Sequence, residues 1–200
     1  MSPRPRSVSD EDVFAALARV IGRVGPARMT LADVGAEAGL TAGALVQRFG
    51  SRRGLMLALS RTGVADVRRQ AARIRRAAAS PLAALFDFAA GMARWVRTPE
   101  EMANHLAFLQ LDLTDPEFHA PALEYFLAER DALRSLLDEA VAAGELAPGA
   151  DAARLAAAVQ VAMNGARVVW AVVRDGTLEE RTRDAVETVL GPHRPPPGSP

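Results

Sequence analysis

An all-α fold is predicted by three features of the sequence. Strand-like alternation of polar and β-branched residues nowhere runs for long, and Ala and Leu dominate. Apolar residues instead recur at helical spacing. Helix-start signals, a Ser, Thr or Asp followed by proline or by an acidic residue three positions on, recur along the chain. Together they predict about nine helices and no sheet.

The elements follow in order. Ser9 precedes DEDVFAALARVIGRV, in which Val13, Phe14, Leu17, Val20, Ile21 and Val24 form one face. Ser9 with Asp12 reads as a capping box, and Gly25-Pro26 ends the helix. Thr30 with Asp33 opens a second helix, which Gly39 ends because glycine turns there at little cost. Thr41 caps a third. Gly50-Ser51 breaks the chain, and Ser51 opens an arginine-rich helix to about Ala78. Ser80-Pro81, Thr98-Pro99 and Asp115-Pro116 each fit an N-cap with proline at the first helical position. Gly144 and Pro148-Gly149 end the segment that holds Phe126 to Ala143. Asp151 opens a strongly apolar helix to about Arg174; after the Asp175-Gly176 turn, Thr177 with Glu180 caps a last helix to Leu190. The predicted organisation is a flexible arm over 1–8, a three-helix head over 9–58, a helical body over 59–190 and a disordered tail over 191–200.

Composition narrows the chemistry. There is no cysteine, so no disulfide and no thiolate. There is no lysine, so all 24 basic residues are arginine, which excludes Schiff-base chemistry and a phosphate-loop lysine. Formal net charge is zero but divided: residues 1–76 carry 14 Arg against 6 acidic residues, and residues 77–200 carry 10 against 18. A basic first third points to a polyanion-binding end. No uninterrupted apolar run reaches the roughly 18–20 residues that cross a bilayer, and the polar start lacks an apolar signal core. A soluble, cytoplasmic protein with no membrane contact is expected. HExxH, GxSxG, GxGxxG and phosphate-loop patterns are all missing from the sequence. The pairs Glu100-Glu101 and Glu179-Glu180 sit at helix starts, where they suit the helix dipole. Neither an enzyme, a cofactor nor a metal site is predicted; His105, His119 and His193 share no ligand spacing.

The stretch Thr30–Ser51, TLADVGAEAGLTAGALVQRFGS, joins two short amphipathic segments through Gly39. Val34, Ala38, Leu40, Leu45 and Phe49 can face inward, and Gly35 is small where the helices must come close. This is helix-turn-helix spacing, which presents a second helix to the major groove. Val13–Leu59 resembles the DNA-binding domain of the tetracycline-repressor (TetR) family of transcriptional regulators. Thr30, Leu31, Asp33, Val34, Ala38, Gly39, Leu40, Thr41, Gly43, Leu45, Phe49, Ser51 and Leu55 carry the resemblance. Three positions depart from it. Val46 stands where the family has a phosphate-binding tyrosine, Arg48 replaces a histidine or tyrosine, and Arg52 replaces a lysine.

The expected DNA-facing set is Arg28, Thr30, Thr41, Ala42, Gly43, Ala44, Val46, Gln47, Arg48, Arg52 and Arg53. Small residues let the third helix approach the groove floor. Gln47 can pair with adenine and Val46 can touch a thymine methyl. Arg28, Arg48, Arg52 and Arg53 are expected phosphate clamps, and Arg4 and Arg6 a flexible arm. One such head reads few base pairs, so a homodimer on palindromic double-stranded DNA is expected. The resemblance implies that the last two helices form a four-helix bundle across the dimer, with Val161, Gly165, Val168, Val169, Val172 and Val189 at the seam. It also implies a pocket for an apolar small-molecule effector in the body. Its candidates are Met92, Trp95, Asn104, His105, Phe108, Phe126, Met163 and Asn164, a mostly apolar set with few polar groups. The function so implied is a repressor released from its operator by the effector. The alternative is a helical protein-interaction module that has lost specific DNA binding.

Overall fold

The computed structural model describes residues 8–195, apart from the side chains of Met92 and Arg94. Among the described residues there are nine α-helices and no strand. Helices α1 (Asp10–Val24), α2 (Leu31–Ala38) and α3 (Ala42–Phe49) form the head. The long α4 (Arg52–Ala77) runs from it into a body of α5 (Pro81–Ala89), α6 (Pro99–Thr114), α7 (Pro116–Ala142), α8 (Ala152–Val173) and α9 (Leu178–Leu190). Two 3-10 segments, Ala90–Arg94 and Gly191–His193, carry no sequence signal that predicted them. Residues 1–7, with Arg4 and Arg6, lie outside the described residues, as do residues 196–200.

The helix starts lie where the caps place them. Ser9, Thr30, Thr98 and Thr177 each form a full capping box with Asp12, Asp33, Glu101 and Glu180. Each box satisfies backbone N–H groups that the first turn leaves without partners, and such a cap contributes about 1 kcal/mol. Glu101 and Glu180 thus serve helix ends, as their position predicts. Beyond α9 the chain stays ordered for several residues where a disordered tail is expected. The Ala147 N–H donates to the His193 carbonyl at 2.7 Å, and Arg194 pairs with Glu187 and lies over the Phe86 ring.

Two main cores divide the molecule. In the body, Leu85, Leu133, Leu137, Leu146, Val159, Met163 and Leu190 are buried where α4, α5, α7, α8 and α9 meet. In the head, Val13, Leu17, Val20, Ile21, Val34, Leu45 and Leu55 pack together with Phe118, which comes from α7. A smaller cluster holds Val96, Met102, Trp170 and Leu178. By length and composition α8 could cross a membrane, which corrects the expectation that no segment could: it has 22 residues and a mean hydropathy of 1.4. Arg167 within it is buried beside Glu129 of α7, and α8 packs on α6, α7 and α9. About a third of its apolar stretch, 33%, is buried in this chain.

Two glycines set the shape of the head. A Cβ on Gly35 would lie 2.7 Å from the Leu40 carbonyl oxygen, so the α2–α3 turn folds directly over it. A Cβ on Gly54 would lie 2.1 Å from the Phe49 carbonyl oxygen, where the end of α3 rests on the first turn of α4. A Cβ on Gly43, in contrast, would meet only the Thr41 hydroxyl oxygen at 3.8 Å, an ordinary contact. Gly54→Ala is therefore expected to destabilise the protein by about 1–3 kcal/mol, while Gly43→Ala should stabilise it by up to about 1 kcal/mol. Urea unfolding of both variants measures the contrast; equal effects would mean that α3 does not rest on α4 as described.

Candidate nucleic-acid interface and ligand pocket

Helix α3 is held from one side only. Leu45 is fully buried, and Phe49 is half-buried against Phe14, with ring centroids 5.8 Å apart. On the outer side Thr41, Gly43, Val46, Gln47 and Arg48 are exposed, with Ala42 and Ala44 half-buried. The outer surface is shallow because these side chains are small. Among the described residues the Gln47 amide has no protein partner. The Thr41 hydroxyl accepts the Ala44 N–H at 3.1 Å, which leaves its own hydrogen free. The Thr30 hydroxyl differs, since it donates to Asp33 at 2.6 Å and accepts the Asp33 N–H at 3.1 Å. The carboxyl of Asp33 is held below its ordinary value, mainly by the Thr30 hydroxyl hydrogen bond.

The four expected phosphate clamps separate into different roles. Arg28 is exposed and donates only through Nε, to the Val24 carbonyl at 2.9 Å. Arg48 lies beside the Phe49 ring and pairs with Asp10 while donating to the Val8 carbonyl, so it links the end of α3 to the start of α1. Arg52 directs one terminal nitrogen at the carbonyls of Pro26, Ala27 and Met29, at 3.2, 2.9 and 3.1 Å. It clamps the α1–α2 loop. Arg53 takes Asp115 at 2.5 and 2.9 Å, pairs with Glu117, and stacks over Phe118 at 5.1 Å. It fastens the head to the body and holds the Asp115 carboxyl below its ordinary value. Arg52 and Arg53 thus act as internal fasteners, a role their sequence did not predict, while both remain exposed. Sequence spacing alone does not reveal the carbonyls and carboxylates that occupy them.

A cavity of about 350 Å³ opens at the seam of head and body, walled by α1, α4, α6, α7 and α8. Of the eight expected ligand residues, His105, Phe108, Phe126 and Asn164 line it. Trp95 does not, being 74% exposed, and Met163 is buried in the body core. Asn104 instead donates to the Gly22 carbonyl at 2.8 Å and so ties α6 to α1. The side chain of Met92 lies outside the described residues. Residues that the sequence reading missed complete the wall: Met102, Asp112, Tyr125 and Arg167, with Asp66 and Gly63 of α4. A Cβ on Gly63 would lie 2.9 Å from the Tyr125 ring, so the tyrosine needs that glycine. Burial pushes the Tyr125 phenol up to about 12, and burial lowers His105, opposed by Glu101. Burial alone raises the Asp112 carboxyl to about 6. Behind the wall, Gln160 donates to Glu129 at 3.0 Å and to the Phe126 carbonyl at 2.8 Å, and Arg167 donates to Asn164 at 3.0 Å.

The outer face of α8 is apolar and uncovered. Val161, Val168, Val169 and Val172 are 73, 47, 57 and 76% exposed, and Gly165 among them faces open space. Val161, Gly165, Val168 and Val172 recur at steps of four, three and four, which is a single helical face. Val189 departs from this group: it is half-buried and packed against the body core.

Comparison with known proteins agrees with this architecture at both ends of the chain. The sequence pattern of bacterial regulatory proteins of the tetR family matches residues 13–59, and that of the tetracycline repressor-like C-terminal domain matches residues 106–186. No curated protein matches the chain. A TetR transcription regulator from Haloarcula marismortui superposes with a TM-score of 0.74 at 15% identity, covering 93% of this chain and 98% of that one. The fatty acid degradation regulator FadR from Bacillus halodurans does so with 0.65 at 17%, covering 93% and 100%. A SmeT–triclosan complex gives 0.66 at 18%, covering 95% of each chain. With a helix-turn-helix head, an all-helical body and family sequence patterns in both, the chain belongs to the tetR family of bacterial regulatory proteins.

Proposed function

We propose that this chain is a homodimeric, cytoplasmic repressor whose heads bind a palindromic operator and release it when a small molecule enters the seam pocket. The observation that carries the reading is the outer face of α3. It is small and shallow, Gln47 lacks a partner among the described residues, and the Thr41 hydroxyl hydrogen is free. A glutamine amide suits the edge of adenine, and the exposed Val46 suits a thymine methyl. Thr41, the free N–H groups at the start of α3 and Arg28 suit phosphates. Asp33 takes both the hydroxyl and the backbone N–H of Thr30, so Thr30 serves the start of α2 first. Arg48 would stiffen α3 as much as contact DNA.

Dimerisation is supported by the uncovered valine face of α8, since apolar surface of this kind lies against another chain in stable oligomers. Two heads would then stand about 34–36 Å apart, or a multiple of that, to meet successive major grooves. Release is supported by α6, which lines the pocket with His105 and Phe108 and holds α1 through Asn104. An occupant that shifts α6 would shift the head. Only a ligand with different affinity for the two arrangements can move their balance. The SmeT complex holds triclosan, which is one case of a small apolar molecule in a protein of similar fold.

One observation favours the interaction-module alternative: two of the four expected phosphate arginines, Arg52 and Arg53, already hold partners within the protein, although both stay exposed. Sequencing of genomic fragments retained by the purified protein at near-physiological salt separates the readings. An enriched palindrome supports the operator reading; uniform retention that vanishes with modest salt supports the alternative. Gln47→Ala is expected to change base preference, while Arg28→Ala weakens all sequences alike and lowers the salt slope by about one. Equal loss on every sequence for both variants would remove Gln47 from base reading. Arg52→Ala is expected to lower the unfolding midpoint as well as DNA affinity, because it frees three loop carbonyls. Replacing Val161 and Val172 together with Glu should give a monomer by sedimentation with unchanged helical circular dichroism, and weak operator binding. A dimer that survives the double change would move the seam elsewhere.

A further inference from the structure

We propose that the seam pocket takes a molecule with one positive charge and an apolar body, and that the carboxylate of Asp112 is its counter-ion. This deepens the effector reading above and depends on it for the pocket being an effector site, not for the charge it selects.

The argument is the balance of charge around the cavity. Arg167 lines the wall, but its guanidinium donates to Asn164 and lies 3.9 Å from the carboxylate of Glu129, with both partners buried. That pair is neutral as a whole. Asp66 is paired with Arg69. His105 is kept neutral and the Tyr125 phenol protonated by their burial. Asp112 remains. It is half-buried on α6, lines the cavity, and has no hydrogen bond or ion pair among the described residues. Burial already disfavours its charge, yet at neutral pH it is mostly ionised, given a value of about 6. The lining of the pocket therefore carries one uncompensated negative charge at neutral pH.

Each class of occupant meets that charge differently. A neutral apolar molecule removes the water that still solvates the carboxylate and supplies nothing in return. An anion adds repulsion, and Arg167 cannot answer it because Glu129 already neutralises it. A cation restores what burial removes. The rings of Phe108, Tyr125 and Phe126, which line the same cavity from α6 and α7, add faces on which a quaternary ammonium group is favourable. The cavity, about 350 Å³, is at the small end of ligand pockets, so an alkyl or aryl ammonium of modest size fits better than a large polycation.

Calorimetric titration of the full chain at pH 7.5 with decyltrimethylammonium, 1-decanol and decanoate, each below its aggregation limit, tests the proposal. These probes share a tail and differ in charge. The ammonium is expected to bind at least tenfold tighter than the other two. Asp112→Asn should cost the ammonium about tenfold and tighten decanol, whose binding no longer strips water from a carboxylate, while Asp112→Glu, which keeps the charge, should retain the preference. Decanol or decanoate binding as tightly as the ammonium, no measurable ammonium binding, or an ammonium affinity indifferent to both variants would overturn it. Fluorescence anisotropy of a bound operator fragment is read separately. Ammonium binding that depends on Asp112 but leaves the DNA bound would sink the release reading and keep the site.

Discussion

Phe118 is the side chain on which the arrangement of head and pocket depends. It belongs to the first turns of α7, in the body by sequence, yet it is fully buried in the core of the head. Three short helices bury too little apolar surface to be comfortably stable alone, and this ring supplies what they lack. Phe108 of α6 meets it edge-on at 5.9 Å, and Arg53 of α4 covers its face while pairing with Asp115 and Glu117. Head and body are therefore one packed unit at this point. The cavity lies beside it because α1, α4, α6 and α7 all converge on the same seam.

The exclusive use of arginine suits this construction. A guanidinium presents five donors in a fixed plane and stacks on aromatic rings, which an ammonium does less well. Arg52 uses one nitrogen on three carbonyls, and Arg53 divides its fork between two carboxylates above a ring. Arg19 and Arg23 both meet Glu37 and so tie α1 to α2. The positive charge of the first third of the chain is thus partly scaffolding. What it leaves for a polyanion is less than the sum of its arginines.

Local features were legible in the sequence and long-range partners were not. Ser9, Thr30, Thr41, Thr98 and Thr177 mark helix starts because a cap acts within three residues of itself. Gly35 and Gly39 reveal the turn for the same reason. His105, Phe108, Phe126 and Asn164, named as apolar bodies with sparse polar groups among them, line the cavity. The fastening roles of Arg52 and Arg53 were not legible because their partners lie 23 to 64 residues away. Tyr125 and Asp112 were missed since nothing beside them in the chain marks the cavity, and Trp95 was chosen for its size although it points outward. The valines of α8 were named from the family resemblance, and only the fold shows that they share an exposed face from which Val189 departs.

The carboxylates give the molecule an uneven response to acid. Asp33, which caps α2, Glu37, which joins α1 to α2, and Asp115, which fastens head to body, all have carboxyls held below their ordinary values. Their contribution is fully present above the ordinary carboxylate range and is lost as pH falls through the lowered values. Asp112 works in the opposite sense. Its carboxyl is raised to about 6, so its cost is full above that pH and fades as the pH falls toward 3.8. Mild acid thus relieves the seam, while the linkages of Asp33, Glu37 and Asp115, and the Glu180 cap of α9, outlast ordinary carboxylates and weaken only at lower pH.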